Sequence, residues 1–76
     1  MVKTFSGKEI IKVLCRDFGF SFVSQKGSHV KLRRRRAGTI ETAIVSLHRE
    51  LARGTLLGIL ELAGVDKAEF LVAVKK

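Results

Sequence analysis

"FSFVSQKGSHVKLRRRR", Phe20 to Arg36, is the stretch on which the fold turns. Its opening residues are aromatic, β-branched or small and break any helical period, so Phe20–Gln25 reads as a strand. Lys26-Gly27 supplies a turn, and a second strand runs from Ser28 to about Arg34. In this second strand the residue types alternate. Val30 and Leu32 share one face, while His29, Lys31 and Arg33 share the other. If the apolar face meets the core, His29 stands in solvent among cations. "RRAG" turns the chain again, and "TIETAIVSL" continues as a third strand to about Leu47. Its alternation is impure and leaves open whether Ile44 or Val45 points inward.

Helical patterns flank this meander. In "FSGKEII", Ser6 can cap a helix, Glu9 can reach back as its capping-box partner, and Phe5 can pack on Ile10. Ile11, Leu14, Cys15 and Phe18 then recur at helical spacing, and Gly19 follows as the stop, which predicts a helix over Gly7–Phe18. After the third strand, "RGTLLGILELAGV" places Leu56, Ile59, Leu60 and Ala63 on one stripe and ends at Gly64. Asp66 and Glu69 repeat the capping pattern, with Val65 able to pack on Phe70. A short helix over Lys67–Val74 follows, although "FLVAV" also suits an edge strand. The resulting class is α+β, in the order α-β-β-β-α-α, with a three-stranded antiparallel sheet packed under helices.

At 76 residues with 46% hydrophobic content, residues 1–76 read as a single domain near the size at which one core suffices. Fifteen Lys and Arg against seven Asp and Glu give a net charge of +8, suited to nucleic acid or another polyanion. A basic protein that is merely soluble is the plainer alternative. Cys15 is alone, so no internal disulfide can form and a reducing compartment fits. His29, His48 and one distant cysteine are too few for a metal site, and no cofactor is expected. The first residues lack the apolar segment of a signal peptide, and "FLVAV" is too short to span a bilayer. These features predict a cytoplasmic protein without a membrane partner, monomeric when free.

The helix, three-strand meander and helix also form the layout of the double-stranded-RNA-binding domain, though many small α+β domains share it. Two motifs are more specific. "QKGSHVKL" followed by "LHRELARGTLLGILELAGV" resembles the HicA family of toxins, partners of the HicB antitoxins. The family's marks are Gly-Ser-His at the start of the second strand and Gly-Thr-Leu opening the next helix. The resemblance covers residues 6–65. It implies an endoribonuclease that cuts messenger RNA with a single essential histidine, matching His29, and that is neutralised by a HicB-type antitoxin. Two features depart from the family pattern. Ser46 stands where members often carry a proline, and the run Arg33–Arg36 is denser in charge than usual.

The residue chemistry suits that expectation. Cutting RNA through its 2′-hydroxyl needs a base, an acid for the leaving oxygen, and cations for the developing charge. Histidine exchanges protons near neutral pH, which makes His29 the candidate catalyst and His48 the candidate second proton carrier. Lys26, Ser28, Lys31, Arg33, Arg34, Arg35, Arg36 and Arg53 are the candidate RNA contacts. Arg53-Gly54-Thr55 opens a helix, where free N–H groups favour phosphate. Each residue has a plainer reading: His29 as a polar surface residue, His48 as a turn residue, and Arg33–Arg36 as a charged edge that resists aggregation. Beyond the ribonuclease, the same residues suit a module that grips RNA without cutting it, or a basic face that docks an acidic protein.

Overall fold

The computed structural model describes residues 4–75. Helix α1 spans Gly7–Asp17, strands β1, β2 and β3 span Ser21–Lys26, His29–Arg36 and Thr39–Ser46, and helices α2 and α3 span Arg53–Ala63 and Lys67–Val74. The sheet is antiparallel in the order β1-β2-β3. The expected element order and fold class hold.

Local chemistry accounts for the elements. The Ser6 hydroxyl accepts from the Glu9 N–H (3.1 Å), and the Glu9 carboxylate accepts from the Ser6 N–H (3.0 Å), forming the expected capping box. The Asp66 carboxylate accepts from the Glu69 N–H (3.1 Å), which starts α3 and settles "FLVAV" as helix. The β1–β2 turn is Gly27-Ser28, one residue later than the sequence suggests. Gly27 has φ of +58°, the glycine-first pattern of a type II′ hairpin. The β2–β3 turn is Ala37-Gly38, with φ of +51° and +79° as in type I′, so the strand extends to Arg36.

The core lies between the helices and one face of the sheet. Val30, Leu32, Ala43 and Val45 from β2 and β3 are buried against Ile10 and Leu14 of α1, Ile59 and Leu60 of α2, and Phe70 of α3. Val45 therefore points inward, while Ile44 stays 46% exposed on the far face. Phe70 meets Phe5 edge-on at 5.9 Å and stacks on Phe18 at 6.5 Å. Cys15 packs half-buried against this core, and burial pushes its thiol pKa up. The helices cover β2 and β3 but not β1, every residue of which is exposed.

One contact seats α1 on the sheet. The Gly7 N–H donates to the His48 carbonyl (2.9 Å), and a Cβ on Gly7 would overlap the Ser46 carbonyl oxygen. Only glycine lets the first turn of α1 approach the end of β3 this closely.

A second contact closes the opposite end of the sheet. Arg34 pairs directly across the strands with Glu41, its Nε 2.7 Å from Oε1. Its other nitrogens donate to the carbonyls of Phe18 (2.9 Å) and Gly64 (3.2 Å), and its guanidinium lies 4.7 Å from the Phe20 ring centre. Those carbonyls sit at the C-terminal caps of α1 and α2, where unpaired oxygens and the helix dipole both favour a cation. Arg36 adds bonds to the other Glu41 oxygen (3.0 Å) and to Gly64 (3.3 Å).

Three outcomes follow. Gly7→Ala should lose about 1–3 kcal/mol through overpacking, read by denaturant unfolding. Arg34→Ala should lose about 1–3 kcal/mol, because it removes the side-chain donor to the Phe18 carbonyl and leaves Glu41 and the Gly64 carbonyl to Arg36 alone. Arg33→Ala, one residue away but facing solvent, should stay within about 0.5 kcal/mol. Equal losses at Arg33 and Arg34 would contradict this division. Third, the hydrogen bond from Arg36, with that from Arg34, holds the Glu41 carboxyl below its ordinary range against the opposing effect of burial. Its contribution is present above the unfolded value of about 4.3 and lost as pH falls through the lower folded value. Thermal midpoints should thus fall less steeply on acidification in Glu41→Gln than in the wild type.

Candidate nucleic-acid interface

The alternation of β2 sorts the candidate residues by face. His29, Lys31, Arg33 and Arg35 point away from the helices, while Val30, Leu32, Arg34 and Arg36 occupy the helix side. The expected placement of His29 in solvent, among cations, is met. The run Arg33–Arg36, expected to contact RNA, is divided between the two faces. The Arg34 side chain is only 10% exposed and fully engaged, so it belongs to the fold. Arg36 is 60% exposed yet tied to Glu41 and Gly64. The reason is strand geometry: successive arginines cannot share a face.

Across β2, the open face is completed by neighbours from both edges. His29 lies between Lys26 of β1 and Ser46 of β3, Lys31 between Ser24 and Ile44, and Arg33 between Ser21 and Thr42. Arg35 pairs with Ile40. The Leu47 N–H donates to the Ser28 carbonyl (2.7 Å), which makes His29–Ser46 a pair without mutual backbone bonds, the kind in which side chains stand closest. By alternation, the same holds for Lys31–Ile44, Arg33–Thr42 and Arg35–Ile40.

None of these open-face strand positions carries an acid. Glu41, the sheet's one carboxylate, faces the helices. Among the described residues, Lys26, Lys31, Arg33 and Arg35 enter no ion pair. A row of like charges without counter-charges costs stability, and a bound polyanion relieves that cost. Val23, Ile40 and Ile44 are exposed on the sheet, Ile44 opposite Lys31 and Ile40 opposite Arg35. The bulge between Phe22 and Ser24 leaves Val23 unpaired, and the sequence has no mark for it.

The histidine end of the sheet gathers other candidates. Ser28 closes the exposed β1–β2 turn, and His48 lies two residues beyond Ser46, exposed and anchored through its carbonyl to Gly7. Arg53 opens α2, whose cap Ala52 makes no side-chain bond to the first turn. Arg53 also borders an apolar cleft of about 280 Å³ between α2 and α3, on the helical layer. No described helix is long and apolar enough to cross a membrane.

A search of curated proteins finds no match to the chain. A family profile described as the HicA toxin of bacterial toxin-antitoxin systems matches residues 7–65, from the glycine that seats α1 to the residue just past the Gly64 cap of α2. That span holds both motifs and the whole sheet, and it is most of the 76 residues: the chain belongs to the HicA toxin family.

Proposed function

We propose that this toxin is an endoribonuclease that cuts messenger RNA, with His29 as its catalytic group and a HicB-type antitoxin as its inhibitor. One observation carries the reading. His29, within the Gly-Ser-His motif, stands exposed at the head of a cationic row on a sheet face without carboxylates.

The chemistry follows from those groups. His29 takes the proton of the ribose 2′-hydroxyl, whose oxygen attacks the adjacent phosphorus. The bond from phosphorus to the 5′-oxygen breaks, leaving a 2′,3′-cyclic phosphate and a 5′-hydroxyl that receives a proton from an acid. Lys31 and Arg33 stabilise the negative charge that builds on the phosphoryl oxygens. One imidazole cannot give and take a proton at the same instant, and His48 is the candidate acid. An antitoxin need only cover this open face, and acidic groups on it would speed association.

His29→Ala should slow cleavage of a defined RNA by about 10²- to 10⁴-fold. Because His29 is exposed, stability should change by no more than about 0.5 kcal/mol, with binding retained. Cleavage at the wild-type rate would refute the assignment, and a wild-type protein that binds RNA without cutting it would make this a binding module. His48→Ala discriminates further: a loss similar to that of His29→Ala makes it the second proton carrier, and a mild loss leaves it structural.

A further inference from the structure

The open face has a second feature at the end of the sheet remote from His29. There a shallow cleft of about 360 Å³ is bordered by Val23, Ile40, Arg33 and Arg35, with Gly19 and Ser21 at its β1 side and Arg34 also in its lining. It lies four to six residues along β2 from His29, roughly 13–20 Å at strand rise. The cations between the two points step every second residue, about 6.7 Å apart.

Resting on the ribonuclease reading for the identity of the ligand as RNA, we infer that this cleft is a seat for an unpaired nucleobase. The strand that presents the base runs from His29 along Lys31, Arg33 and Arg35. A regular row of cations on one strand tracks a single phosphate backbone, as in grooves that hold unpaired strands. The aliphatic groups decide between strand and duplex. Val23, Ile40 and Ile44 stand beside the cations with 40%, 53% and 46% of their surface exposed. Against a duplex, whose bases are stacked away, these side chains would meet phosphate and sugar and gain little. Against an unpaired strand they meet base faces and lose water. The bulge at Val23 has a role on this account, since it turns an edge residue without a ladder partner toward the cleft.

The test uses 2′-O-methyl RNA, which cannot be cut through its 2′-oxygen. An eight-nucleotide single strand and the same sequence annealed as a blunt duplex are titrated into the wild-type protein by fluorescence anisotropy. The single strand should bind at least about tenfold more tightly. Arg33→Gln with Arg35→Gln should flatten the dependence of log K on log salt by about 1.4 units, 0.7 for each lost phosphate contact. Val23→Ser with Ile40→Ser should weaken single-strand binding several-fold with no change in that slope, circular dichroism confirming each fold. Equal or tighter binding of the duplex overturns the proposal without any variant, and so does a slope unmoved by the arginine changes. Binding of this probe does not depend on catalysis. Cleavage without single-strand preference would sink the seat and keep the ribonuclease, and preference without cleavage would do the reverse.

Discussion

A slip of one residue in β2 would carry His29 toward the core and Val30 into water, and everything else depends on preventing it. Two tight turns bracket the strand, Gly27-Ser28 before it and Ala37-Gly38 after it, so neither neighbour can shift without breaking a hairpin. Val30 and Leu32 are almost fully buried, and a slip would exchange them for lysine and arginine. Arg34 adds a polar lock, since only this register places it opposite Glu41 and beneath the ends of α1 and α2. Hydrophobic burial, turn geometry and one ion-paired cluster therefore agree on a single register.

That register gives two neighbouring arginines different tasks. Arg34 binds two helix-end carbonyls and a carboxylate, replacing its water shell with four partners, counting the Phe20 ring. Arg33 and Arg35 keep their water and their charge for whatever approaches the open face. The fold is thereby tied together on one side of β2 while the other side stays uncompensated and available. His29 lies at the end of the row nearest the seat of α1, where Gly7 meets the Ser46 and His48 carbonyls. A rigid scaffold thus stands directly behind the residue proposed to act, which suits a group that must hold its position.

Much of this was legible in the sequence because it is local. The Ser6–Glu9 box, the Val30–Leu32 alternation and the glycine turns are each set by residues within a few positions of one another. The solvent placement of His29 followed from alternation alone. The division of the arginine run was within reach but obscured by ending β2 near Arg34. The signal was Glu41, which mirrors Arg34 across Ala37-Gly38, so the hairpin itself pairs them. The inward turn of Val45 over Ile44 needed that same register. Gly7 was beyond reach, since its requirement arises from Ser46, far along the chain, and no pattern at Gly7 announces it. The cleft beside Val23 was hidden for the same reason, because it depends on a bulge and on three strands meeting.

The central claim is that the outward residues of β2 meet RNA and the inward ones hold the fold. Side-chain NMR of the protein during titration with an uncleavable single-stranded RNA tests it most directly. The account predicts shifts at the His29 imidazole and at the Arg33 and Arg35 Nε–H signals, while Arg34 and Arg36 stay unmoved. Shifts centred on Arg34, Arg36 or the helical layer, with His29 unaffected, would contradict it.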